Sequence, residues 1–98
     1  MLKVKILFFT RLREIIGKKE EVIDLLPETK ITINMILSIL TKKYTNPFEE
    51  YIFNPKTRRI RGHLQFLING KTVRSASEME IELKDGDVLA ILPPVGGG

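Results

Sequence analysis

Apolar residues recur at Ile33, Ile36, Leu37, Leu40 and Tyr44, a spacing of i, i+3, i+4, i+7 and i+11 that draws one continuous stripe down a single helix face. In the other long apolar segments of this 98-residue chain, large apolar and polar residues alternate instead. A lone long amphipathic helix has no second helix of its kind to pack on, so it must bury its stripe against a sheet built by the alternating segments. Thr32 stands where an N-cap belongs, and Lys42 and Lys43 in the last turn suit the negative end of the helix dipole. Met35 occupies the position where a capping box would place Glu, so the helix start is set only to within a residue or two.

The strands can be assigned in order. Residues 2–10 alternate, with Val4, Ile6 and Phe8 on one face and Lys3, Lys5, Leu7 and Phe9 on the other. One helical turn with Leu12, Ile15 and Ile16 follows and is stopped by Gly17. Residues 20–26 read as a second strand with Ile23 and Leu25 inward, and the short connection predicts antiparallel pairing with the first. Between Asn46 and Gly62 the pattern breaks at Pro47 and Pro55, and Phe48, Tyr51 and Ile52 allow one short helical turn. Residues 63–73 then give strand, Asn69-Gly70 turn and returning strand, a strong hairpin signal. A second tight turn at Asp85-Gly86-Asp87 leads to a last strand, Val88 to Leu92. The expected fold is α+β: one domain over residues 1–98, a mixed sheet of four to five strands with one main helix across one face, and residues 93–98 as an extended flexible tail.

Several function classes drop out early. The absence of cysteine removes disulfides, iron–sulfur clusters, thiolate zinc sites and a cysteine nucleophile. No apolar run reaches the roughly 18 residues of a membrane span, and the chain opens on a strand pattern rather than a signal peptide, so a cytoplasmic protein is expected. His63 is the only histidine and lacks a companion for metal binding. The acid pairs Glu20-Glu21, Glu49-Glu50 and Asp85-Asp87 fall at strand starts, loops and turns, where they read as solvating charges rather than an acid/base pair. No glycine run precedes a helix, which excludes a phosphate loop. The basic cluster Lys56, Arg58, Arg59 and Arg61 lacks the interleaved aromatics of a single-strand platform, and neither it nor the net charge of +4 makes a nucleic-acid binder.

What is left is the ending Pro93-Pro94-Val95-Gly96-Gly97-Gly98. Triple glycine adds nothing to a core and would ordinarily fray. It also leaves a backbone thin enough to thread a narrow channel into another protein's active site. Extended residues span roughly 3.3–3.6 Å each, so Val95 to Gly98 reach about 13–14 Å beyond the stiff proline pair, ending in a carboxylate that another enzyme can activate. On the glycines alone, a passive end and such an arm fit equally.

The β-grasp order, the N-terminal VKILFFTRLREIIG, the ING hairpin, the DGD turn and the LPPVGGG ending together resemble the ubiquitin-like sulfur carriers, most closely the small-subunit type of molybdopterin synthase. The most specific parts are Phe8, Phe9, Leu12, Arg13, Glu14 and Gly17 and the Pro-Pro-Val ending; residues 46–61 are longer than a minimal carrier needs and resemble archaeal-type members. The resemblance implies that Gly98 is adenylated by a ubiquitin-activating-like partner using ATP. A sulfur donor then converts it to a thiocarboxylate, which the large synthase subunit uses to build the dithiolene of molybdopterin, for molybdenum or tungsten cofactor synthesis. Gly97, Gly96, Val95, Pro94 and Pro93 would thread the partner's channel. This chain would bind no cofactor or metal, catalyse nothing itself, and bind neither membrane nor nucleic acid.

Alternation supports that resemblance from another side. If Val4, Ile6, Phe8, Phe66, Ile68, Leu89 and Ile91 face the helix, then Leu7, Phe9, Leu67 and Leu92 share the opposite face, beside the root of the tail, where a partner interface is expected. Two rivals remain: a ubiquitin-like modifier or tRNA-thiolation carrier activated by the same chemistry, and a plain β-grasp binding module whose glycines are passive.

Overall fold

The computed structural model describes residues 2–61, 64–73 and 81–92. Strand β1 (Leu2–Phe8) buries Val4, Ile6 and Phe8 and sends the intervening side chains to the other face. Helix α1 (Thr10–Ile16) buries Leu12 and ends at Gly17, whose φ of 83° is the left-handed cap that glycine adopts at least cost. Strand β2 (Glu20–Leu25) buries Ile23 and, unexpectedly, Glu21. Helix α2 (Ile33–Tyr44) begins where the stripe indicated, with the Met35 amide donating to Thr32 Oγ1 at 3.2 Å.

Helix α3 (Asn46–Ile52) is longer than the single turn expected. Pro47 sits in its first turn, where a missing N–H costs nothing, and Phe48 and Ile52 bury on one side. Strands β3 (Gln65–Ile68) and β4 (Lys71–Thr72) form the hairpin; Asn69 and Gly70, with φ of 50° and 84°, both take the positive values that a type I′ turn requires. Strand β5 (Val88–Leu92) follows the turn at Asp85-Gly86.

The five strands run in the order β2-β1-β5-β3-β4. β1 pairs antiparallel with β2, as its short connection dictates, and parallel with β5; β3 is antiparallel to β5. The two central strands thus come from opposite ends of the chain. This is the β-grasp arrangement expected from the sequence. Ile33, Ile36, Leu37 and Leu40 of α2 enter one core with Val4, Ile6, Phe8, Ile23, Phe66, Leu89 and Ile91 from the sheet, closed by Leu12, Phe48, Ile52, Leu64 and Leu83. Full burial of each such side chain contributes about 1.5–3 kcal/mol, so the helix-covered face carries the stability and the other face is left for different work.

Candidate functional site

The side chains opposite α2 fall into cross-strand rows fixed by register. Leu7 pairs with Ala90, and Ala90 with Leu67, giving a central row across β1, β5 and β3. Val88 lies to one side of that row, beside Lys5; Leu92 lies to the other, beside Gln65. Phe9 continues β1 in extended conformation (φ −125°, ψ 154°), so it follows Leu7 on the same face. Its ring is held by Arg13, whose guanidinium stands 5.9 Å from the ring centroid while its Nε donates to the Phe8 carbonyl at 3.3 Å. Leu7, Phe9, Leu67 and Leu92 are half-buried, and Ala90, in register between Leu7 and Leu67, is only 8% exposed.

Charges rim this apolar strip on the β2 side. Lys5 and Glu20 approach to 3.5 Å, and Lys3 pairs in register with Asp24; Val22, 46% exposed, adds an apolar side chain at the same margin. An apolar centre with a polar rim is the anatomy of a protein-binding surface. The face therefore holds the four residues that alternation had singled out, and also Val88, Ala90 and Val22. Val88 and Ala90 alternate with the buried residues of the strand that also carries Leu92, and Val22 with those of β2, but all three are smaller than the residues that mark the face in the sequence.

β5 delivers the chain to this face. It is parallel to β1 and antiparallel to β3, so Leu92 leaves the sheet beside Gln65 and past the Phe8–Ile91 pair, at the end where Phe9 opens α1. Pro93, Pro94, Val95, Gly96, Gly97 and Gly98, and also His63, lie outside the described residues.

Among the acid pairs, Asp85, Asp87 and Glu21 turn out to have structural duties. Asp85 Oδ1 accepts from the Lys3 amide and Asp87 Oδ2 from the Lys84 amide, at 2.8 and 2.7 Å, while Asn69 bridges Asp87 and the Val88 amide, at 2.9 Å each. Glu21 was expected to be a solvating charge. It is buried, accepting from Lys18, from Lys43 at 2.8 Å and from the Tyr44 hydroxyl. Burial alone would raise its carboxyl, but hydrogen bonds from Lys43, Tyr44 and Lys18 outweigh that and hold it below the usual range. Tyr44 is pushed up to about 12 by burial and by the adjoining carboxylate. The quartet pins the end of α2 to β2.

A family model, the ThiS family, matches residues 6–98. The molybdopterin synthase sulfur carrier subunit of Drosophila yakuba is 33% identical over 98 residues, covering all of this chain and 93% of the fly protein. Among solved structures, small archaeal modifier protein 1 from Methanosarcina acetivorans is 36% identical, covers 100% of this chain and 98% of its own, and superposes with a TM-score of 0.76. The complex of subunits 1 and 2 of molybdopterin-converting factor from Helicobacter pylori offers a neighbour 23% identical over 99% of this chain and 100% of its own, with a TM-score of 0.62, a likeness of fold.

Proposed function

The chain belongs to the ThiS family and is a sulfur carrier of that type, and from that premise we propose that it serves as the small subunit of a molybdopterin synthase, donating sulfur from a thiocarboxylate at Gly98. The observation that carries the reading is the extent of the family match, which runs from the middle of β1 to Gly98 and so includes the glycine ending together with the fold that presents it. The Gly98 carboxylate attacks the α-phosphorus of ATP on a separate adenylating enzyme and pyrophosphate leaves. A sulfur nucleophile then displaces AMP from the acyl adenylate. The chain supplies neither base nor metal to this chemistry. It supplies reach, a backbone without side chains at its tip, and a surface by which a partner holds its base.

That surface is the strip of Leu7, Phe9, Ala90, Leu67 and Leu92, with the synthase large subunit as its occupant. The two-subunit assembly of the Helicobacter pylori neighbour lends support to a complex of this kind. Intact mass tests the first step: after incubation with the adenylating enzyme, ATP and a sulfur donor, the protein gains the mass difference of sulfur for oxygen, and addition of the large subunit and the pterin precursor removes it again. An unchanged mass rejects the reading.

The 36% identity to an archaeal modifier supports a second reading, in which the same activated glycine forms an isopeptide bond with lysine or supplies sulfur to tRNA. Lysine conjugates of this chain in cell extract, or loss of tRNA thiolation on its deletion, would favour it. A passive binding module predicts that removing Gly98 changes nothing.

A further inference from the structure

From Tyr51 to Ser77 the chain contains no Asp or Glu and six Lys or Arg. Since the whole chain has 16 basic and 12 acidic residues, everything outside this stretch is mildly acidic, and the surplus positive charge is a property of one region. Within it, Lys56, Arg58, Arg59 and Arg61 sit in the loop after α3. That loop is well ordered by its own hydrogen bonds. Asn54 Oδ1 accepts from the Lys56 and Thr57 amides, the Asn54 amide donates to the Arg59 carbonyl at 2.8 Å, and Phe53 and Ile60 form a bridge across its neck. Arg58 is held at φ 64°, a left-handed conformation that a side-chain-bearing residue keeps only where its surroundings impose it.

The consequence is a rigid loop that displays cations. Lys56, Arg58 and Arg59 are exposed, and the 82% exposed Arg58 side chain makes, among the described residues, one long ion pair, with Glu49 at 3.9 Å. Arg61 is tied instead, its Nε donating to the Glu50 carbonyl and its amide to the Ile52 carbonyl. The loop also ends at a telling place. The Leu64 amide donates to the Arg61 carbonyl, and the next residue, Gln65, is the register partner of Leu92. The C-terminal end of the cationic loop therefore leads, through Leu64, into the strand residue that pairs with Leu92, the last residue before the proline-glycine ending.

We propose that Lys56, Arg58 and Arg59 form an electrostatic docking site for an acidic surface of the adenylating enzyme that acts on Gly98, a proposal that rests on the sulfur-carrier reading above. Guanidinium forks match carboxylates in pairs, and charges at the rim of an interface chiefly raise the rate of encounter rather than the rate of chemistry. A nucleic acid is disfavoured by the absence of exposed aromatic stacking groups in the described part of the loop.

The test compares two triple variants with equal loss of charge: Lys56→Gln/Arg58→Gln/Arg59→Gln, and Lys19→Gln/Lys30→Gln/Lys42→Gln on exposed positions elsewhere. Adenylation by the partner is followed at low and high salt. The loop variant should raise KM about 10-fold at low salt, with kcat unchanged and the difference vanishing at high salt, while the distant variant changes KM less than about 2-fold. Equal effects of the two variants, or no effect of either, overturn the proposal while leaving wild-type activation, and hence the carrier reading, intact. If the loop variant instead loses affinity for total tRNA with its KM unaltered, the occupant is RNA and the proposal fails. Wild type that is never adenylated sinks both.

Discussion

At Glu21 a carboxylate 8% exposed to solvent is kept ionised by three donors, two of which, Lys43 and Tyr44, stand at the far end of α2. Removing its charge leaves those donors facing a weaker acceptor, so Glu21→Gln should destabilise the fold by about 1–3 kcal/mol at neutral pH. Because the folded carboxyl lies below its unfolded value near 4.5, its contribution is complete above that pH and is lost as pH falls through the folded value. Wild type and variant should therefore converge in acid; denaturation curves that stay equally far apart would show that the charge contributes nothing. Tyr44 behaves in the opposite sense: raised from 10.0 to about 12, it contributes fully below pH 10 and is lost between those values. From the sequence alone Glu21 reads as a solvated charge, for a physical reason. A Glu-Glu pair at a strand start carries no local mark of burial, and two of the three partners that make burial tolerable lie 22 and 23 residues away.

Among the elements, the one fixed by local period was legible in advance: α2 begins after Thr32 and ends at Tyr44 because its stripe and its cap need no distant information. The sheet order was legible only through the resemblance to the β-grasp carriers, since nothing local says that the first strand lies parallel to the last. α3 ran longer than expected because Pro47 favours its first turn even where the apolar pattern is short. The joint between α2 and α3 carries a strain that can be measured. Thr45 serves as the end of one helix and the start of the next at φ 58°, ψ −141°, with an exposed side chain that makes no capping hydrogen bond. Such a conformation costs a β-branched residue about 1–3 kcal/mol, while glycine's greater freedom when unfolded costs about 0.5–1 kcal/mol. Thr45→Gly should thus stabilise the protein by about 1 kcal/mol, raising Tm by roughly 4–8 °C. A lowered Tm would mean that the joint is not strained.

For the molecule as a whole, β5 brings Leu92, the residue that precedes the proline-glycine ending in the sequence, to the same end of the sheet as the apolar face. The ending and the large members of the face could be read directly; Ala90 and Val88 could not, being too small to draw notice until register set them between Leu7, Lys5 and Leu67. This arrangement predicts two separable failures. On the proposed role, deleting Gly98 should leave the melting curve and large-subunit affinity near wild type while abolishing the sulfur-for-oxygen mass gain, because the new terminal carboxylate, on Gly97, stops roughly 3.3–3.6 Å short of the reacting position. Phe9→Glu should do the reverse: the mass gain persists, but affinity for the large subunit falls at least 10-fold, as an apolar anchor worth about 1.5–3 kcal/mol is replaced by a charge that must be desolvated. The isolated domain should lose no more than about 1 kcal/mol, since Phe9 is half-buried and the fold's stability lies on the face beneath α2. Calorimetry and mass measured on the same samples decide it. If Phe9→Glu binds as well as wild type, the large subunit docks elsewhere; if it melts far lower, the face opposite α2 is part of the core rather than a place for a partner.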